Sequence, residues 1–227
     1  MPEFASHEQE LRDNYVLNGT GASGQPLGIL QTAGIGAATA FGAPVSAANF
    51  TLKVAGAITN VTSAGSGIYP KVLIMHPRRW GWATGLVDGS NRPIVLADST
   101  GPMNALAAIA NPGLSGGDTG DKGLHGFVVV GTHSSGLPVV TDLNVPTTAG
   151  TINEDIVIAA DTQELHLWED GDGLPRQLSF EQTLGNQLTT TLVVYSYAAF
   201  TAGRYPGAVS KIGGLDTTVN GLIAPSF

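Results

Sequence analysis

The sequence predicts an α+β fold rather than a regular βαβ repeat, and three features carry that expectation. Residues 5–17 and 46–62 space their apolar positions for helical faces. A short apolar run at 71–76 passes directly into a proline-opened helix. From residue 127 onward, short runs rich in β-branched and aromatic residues follow one another. No internal repeat is visible.

Taken in order, residues 5–17 (ASHEQELRDNYVL) read as the end of a helix, with Leu11, Tyr15 and Val16 on one side, running into Asn18-Gly19. Residues 24–35 form an irregular link. Ser46 is placed to cap a helix reaching about residue 62, with Phe50, Val54, Ile58 and Val61 on one stripe and Gly65 and Gly67 ending it. Residues 71–76 (KVLIMH) read as a buried strand, and Pro77 stands where it can open the next helix. A turn at 88–91 leads into 92–96, and 98–124 is a long loop with one short helix at 104–110. Strands are then expected at 127–130, 137–140, 155–159, 164–168 and 177–184. A single long strand is expected at 188–200, whose TTTLVVYSYAAF is dense in β-branched and aromatic residues.

The glycines of NGTGASGQPLGIL match the spacing of a dinucleotide-binding fingerprint, Gly19-x-Gly21-x-x-Gly24. That chemistry needs a helix opening at the last glycine and an acidic residue near 20 positions on, to hold the ribose. Pro26 and Gly28 interrupt any such helix, and residues 31–48 contain no Asp or Glu. A glycine-rich connection is the better reading, and no cofactor is expected.

Composition narrows the function classes. The 227 residues are long enough for one sizeable core, or a core with a second lobe. Hydrophobic residues make up 42%, enough to fold, but only 12% are charged, about half the usual share. So uncharged a surface suits either burial against other subunits or a loop-rich secreted β protein. The net charge of −8 and four scattered lysines argue against general nucleic-acid binding. Without cysteine there are no disulfides or thiolate metal sites. No membrane span or signal-peptide pattern is present, and Met1-Pro2-Glu3-Phe4 reads as a cloning remnant, so the chain is expected to be a fragment.

No catalytic constellation emerges. Residues 113–117 (GLSGG) match a nucleophile elbow around Ser115, but the motif needs a strand before it and a helix after it, and here it sits in a loop. His76, His125, His133 and His166 are isolated, as packed or capping histidines are. Asp118 with Asp121, and Glu169-Asp170 with Asp172, lack the spacing of a calcium loop and read as solvated turns. Arg78 and Arg79 beside Trp80 and Trp82 offer stacking to a nucleic acid in principle. A helix that packs its tryptophans and presents its arginines to a neighbouring chain is the preferred reading.

The order of segments says more than any single site. VLIMHPRRWGWATGLVDGSNRPIVL, then HSSGLPVVTDLNVPTTAGTINEDIVIA, then ELHLWED, then LVVYSYAAFTAGRYPGAVSKIGG, resemble tailed-phage major capsid proteins of the Hong Kong 97-like fold. The glycine-rich link is similar to the connection that leaves the family's spine helix. The resemblance implies two lobes. Residues 1–70 form part of a peripheral lobe, 71–185 an axial lobe, and 186–227 the return strand and tail. It further implies a subunit that packs with copies of itself into pentamers and hexamers of an icosahedral shell. That shell encloses double-stranded DNA without sequence-specific binding, in a virion assembled in the bacterial host cytoplasm. Portal, scaffold or decoration proteins are further partners on this reading. Arg78, Arg79, Trp80, Trp82, Arg204 and Tyr205 are the candidate subunit contacts.

The family's N-terminal arm and extended hairpin have no counterpart here. Some members also join subunits through a Lys–Asn bond aided by a Glu. Asn186 lies near the acceptor position, but Val193 stands where the Glu would, so no such cross-link is expected. Two alternatives stay open on sequence alone: an encapsulin-type nanocompartment shell protein, and a serine hydrolase using Ser115.

Overall fold

The computed structural model describes residues 2–37, 45–86, 95–97, 129–133, 136–150, 152–169, 176–181, 190–195, 197–214 and 221–225. The chain divides into two compact units, Met1–Gln31 with Leu165–Ala202, and Thr32–Glu164 with Gly203–Phe227. The expected turn at 88–91, the loop at 98–124 with its helix, and Ser115, Asp118, Asp121, His125, Asp170, Asp172 and Asn186 lie outside the described residues.

In the first unit, helix α1 (Pro2–Asn18) ends as Gly19 donates its backbone N–H to the Tyr15 carbonyl at 2.9 Å. The loop that follows is stitched to itself: Gly28 N–H reaches the Gly19 oxygen at 2.8 Å and Gly21 N–H the Pro26 oxygen at 3.2 Å. Gly21 and Gly24 take φ of +74° and +80°, the left-handed region that side chains disfavour. At Gly28 the constraint is proximity, since a Cβ there would lie 2.5 Å from the Gly19 nitrogen and 2.8 Å from the Leu17 oxygen. The glycines therefore allow two backbone segments to cross, the connecting role expected from the sequence. A single turn of 3-10 helix, Ile29–Gln31, then buries Ile29.

Four strands complete this unit in two antiparallel ribbons. β7 (His166–Glu169) pairs with β10 (Ala198–Thr201), and β8 (Arg176–Glu181) pairs with β9 (Thr190–Tyr195). The single long strand expected at 188–200 is thus two strands. Its continuous β-forming composition concealed a change of partner: Tyr195 faces Arg176 in one ribbon, whereas Ala198 faces Glu169 in the other. An ion pair between Arg12 and Glu169 ties α1 to β7.

The second unit is built on a seven-stranded mixed sheet. Its strands are β1 (Gly36–Ala37), β2 (Val72–Met75), β3 (Val95–Ala97), β4 (Val129–His133), β5 (Pro138–Thr141), β6 (Val157–Ala160) and β11 (Val209–Ile212), in the order β1-β11-β6-β2-β5-β4-β3. Pairs β1–β11 and β2–β5 are parallel and the remainder antiparallel. β6 lies near the centre with all four residues buried, as a strand covered on both faces must be. Strand β11 was not anticipated: VSKI is short and carries two polar residues, so its period-2 signal is weak.

Helix α2 (Ala47–Ala64) starts as expected, with the Ser46 hydroxyl accepting from the Asn49 N–H at 3.3 Å. Of its expected stripe, Phe50, Val54 and Val61 are fully buried and Ile58 partly so. Phe50, Val54 and Ala57 join Leu73, Met75, Val139, Val157, Ala159 and Ile212 in one core, each large apolar side chain contributing about 1.5–3 kcal/mol. Helix α3 (Pro77–Thr84) follows β2 with Pro77 at its opening and Ala83 in the same core.

Two glycine substitutions should act in opposite directions. Gly28→Ala forces a Cβ into the crossing backbone and is expected to cost about 1–3 kcal/mol. Gly56→Ala, inside α2 with nothing within 4 Å of the added carbon, should stabilise by about 0.5–1 kcal/mol. Urea unfolding of the two variants checks this, and a Gly28→Ala variant as stable as the parent would refute the account of the loop.

Candidate functional site

The arginines predicted for a subunit contact lie at a buried node in the second unit. β2 and β6 run antiparallel with Met75 opposite Val157, so the residues just past the end of β2 lie beside those just before β6. Register alone brings the Arg78-Arg79 doublet to Glu154-Asp155. Arg79 donates Nε–H to Asp155 Oδ2 at 2.8 Å, and its Nη2 lies 2.7 Å from the same oxygen. Arg78 donates Nε–H to Asp155 Oδ1 at 3.0 Å and Nη2–H to the Thr147 carbonyl at 2.9 Å. One carboxylate therefore holds two guanidiniums, both Asp155 and Arg79 being fully buried. Burial lowers Arg79 from its ordinary value, and the Asp155 charge opposes that shift.

The rest of the node is supplied by aromatic rings and main chain. The Arg79 guanidinium carbon sits 4.8 Å from the centre of the Trp82 ring, and that ring meets Phe50 edge-on at 5.5 Å. Arg79 Nη2 also donates to the Leu222 carbonyl at 3.4 Å and to that of Ile223. Glu154 Oε2 accepts from Gly214 N–H at 2.8 Å and from Leu222 N–H at 3.4 Å. Neither Glu154 nor Asp155 had been singled out in the sequence. A signal was present: an acidic doublet abutting the apolar run IVIAA needs a cation nearby, and the chain has one arginine doublet.

His76 acts as the capping residue that its isolation suggested. It is the N-cap of α3, and its Nδ1 accepts the Arg78 backbone N–H at 3.1 Å. Accepting that bond requires Nδ1 without a proton. Burial first, and the Arg78 charge second, lower His76 from its ordinary 6.5, while Asp155 and Asp142 pull the other way.

The other predicted contacts are distributed differently. Trp80 and Trp82 are partly buried against the core. Arg204 is 65% exposed along its side chain and lies 3.8 Å from Glu164. Tyr205 is half-exposed, its hydroxyl donating to the Ala64 carbonyl at 2.7 Å. The structure thus brings Arg78, Arg79 and Trp82 together and leaves Arg204 and Tyr205 in a separate segment. Among the described residues, no group of three His, Asp or Glu side chains is arranged to hold a metal, and no helix is long and apolar enough to cross a membrane.

A profile of the phage capsid family matches residues 2–166. The chain belongs to the phage capsid family. Among solved structures similar to this family member is one described as the capsid of an empty GTA particle computed with C5 symmetry. The two share 15% identity at a TM-score of 0.58, over 92% of this chain and 63% of that one. At that identity the likeness concerns the fold, and it agrees with the Hong Kong 97-like α+β arrangement that the segment order resembled. No curated protein matches the chain.

Two predictions follow from the node. Asp155→Asn leaves Arg79 charged and buried without its anion, and is expected to cost about 3–5 kcal/mol in urea unfolding. Replacing both members of the buried pair, Arg79→Met with Asp155→Leu, should recover part of that loss, because Arg78 still loses its anion; a single variant losing under about 1 kcal/mol would contradict the internal role. His76 binds fewer protons folded than unfolded. Its contribution to stability is therefore whole above 6.5, declines as pH falls through that value, and levels off below the folded pKa. An NMR titration should place His76 below 6.5, and His76→Asn, a non-titrating cap, should remove that part of the acid dependence.

Proposed function

We propose that this chain is a major capsid subunit, or a large part of one, from a tailed bacteriophage or prophage. It packs with copies of itself into pentamers and hexamers of an icosahedral shell around double-stranded DNA. The observation that carries the reading is the family match over residues 2–166, joined to a fold shared with a capsid structure. The low charged fraction of 12% supports it, because surface with few charges is readily covered by other subunits. Exposed aromatic groups in the first unit add to this: Trp168 is 57% and Tyr197 65% exposed. A structural role needs no cofactor, and the subunit would reside in the virion shell, built in the host cytoplasm.

Of the six candidate contacts, Arg204 and Tyr205 have the most exposed side chains and are the ones we assign to a neighbouring subunit. The Arg78 side chain, 32% exposed, and the outer parts of Trp80 and Trp82 can contribute at their rims. Arg79 supports such a contact indirectly, by holding α3 in place.

Light scattering and negative-stain microscopy across a concentration series give the test. Rings, pentamers, hexamers or shells are expected. The paired change Trp168→Glu and Arg204→Glu should shift assembly to about tenfold higher concentration or more, with the circular dichroism unchanged. A strict monomer at every concentration, indifferent to those changes, would overturn self-assembly for this chain.

A further inference from the structure

We propose that residues 221–225 form a strap that seats on the second unit and lifts from it as a separate step, without unfolding of the seven-stranded sheet. The strap has one apolar key, Leu222, which is fully buried in the main core. Among the described residues, its polar attachments lead to the Arg79–Glu154–Asp155 node. Asp155 N–H donates to the Leu222 carbonyl at 2.7 Å, Leu222 N–H donates to Glu154, and Arg79 binds the carbonyls of Leu222 and Ile223. Gly221 passes so close to Glu154 that a Cβ would lie 2.5 Å from Oε1.

Seating the strap has an opposing term that a β ladder does not. Arg79 Nη1 and Glu154 Oε1, beside the seated strap, are buried and have no hydrogen-bond partner among the described residues. Each is a polar atom whose lost hydration no hydrogen bond repays, which is costly. Lifting residues 221–225 returns water to both atoms while leaving the Arg79–Asp155 pair intact. That gain offsets part of what is lost when Leu222 leaves the core. The sheet offers no such compensation, because opening it breaks paired backbone groups and exposes a core of several large side chains. Strap opening should therefore require less free energy than opening the sheet. The inference rests on the geometry of the second unit and holds whether or not the chain assembles.

Native-state hydrogen exchange on the full chain tests it. The reporters are the Asp155 and Leu222 amides, whose bonds cross between strap and node. The controls are the Lys71 and Asp161 amides, bonded to the Ala160 and Ala208 carbonyls at 2.8 and 2.9 Å. The reporters should exchange through one shared opening, at least about tenfold more frequent than that of the controls and nearly independent of denaturant. Matching protection and matching denaturant dependence in both sets would overturn the proposal. In Leu222→Ala the reporters should exchange about 10- to 100-fold faster and still show little dependence on denaturant. Reporters in that variant that take on the denaturant dependence of the controls, or a variant that does not fold, would count against a separable strap.

Discussion

Much of the second unit depends on one carboxylate. Asp155 is fully buried and bound by two arginines, one of them also fully buried. Such a cluster is worth little as net stabilisation, since desolvating the charges cancels most of their attraction. Its influence lies in what it forbids. The observed placement of the β2–α3 turn against the entry to β6 keeps Arg79 and Asp155 paired, and an unpaired charge at that depth is far more costly than a loosened apolar contact. The apolar residues of β2, β6 and α2 supply the driving force, while the node fixes the register in which they meet.

That division explains why β6 can be so uniform. Val157, Ile158, Ala159 and Ala160 are all buried, so the strand has no polar face to specify its position against β2 or β11. A one-residue slip in such a strand would still bury apolar side chains. The acidic doublet immediately before it opposes that freedom, because the observed pairing of Met75 with Val157 sets Arg79 beside Asp155. His76 adds a second constraint from the same turn, capping α3 at the residue where the chain leaves the sheet.

These relations were unevenly legible in the sequence. Ser46, Pro77 and the Phe50–Val54–Val61 stripe act within a few residues of themselves, so local spacing was enough to read α2 and the start of α3. The glycine link was legible for a similar reason, because Pro26 and the absence of an acidic residue excluded a cofactor site. β11 was not legible, since VSKI acquires its place through pairing with a strand some fifty residues earlier. The division of 188–200 into β9 and β10 was hidden because composition reports strand tendency, not partner. Arg78 and Arg79 were recognised as important residues facing a neighbour, whereas Arg79 is turned inward. A cation's direction depends on where an anion lies in space, and Asp155 is 76 positions away in the chain.

The same accounting bears on the contents of a shell under the proposed function. Among the described residues, Arg12, Lys71, Arg78, Arg79 and Arg204 each have a carboxylate partner within the chain. A subunit of net charge −8 that commits these cations internally has little positive charge with which to hold phosphates. Enclosed DNA would then be confined by the closure of the wall rather than by attraction to it. Repulsion between wall and genome would leave the DNA free to move, and the outward load would fall on contacts between subunits. In a chain with so few charges those contacts must come chiefly from apolar and main-chain groups, which salt does not screen.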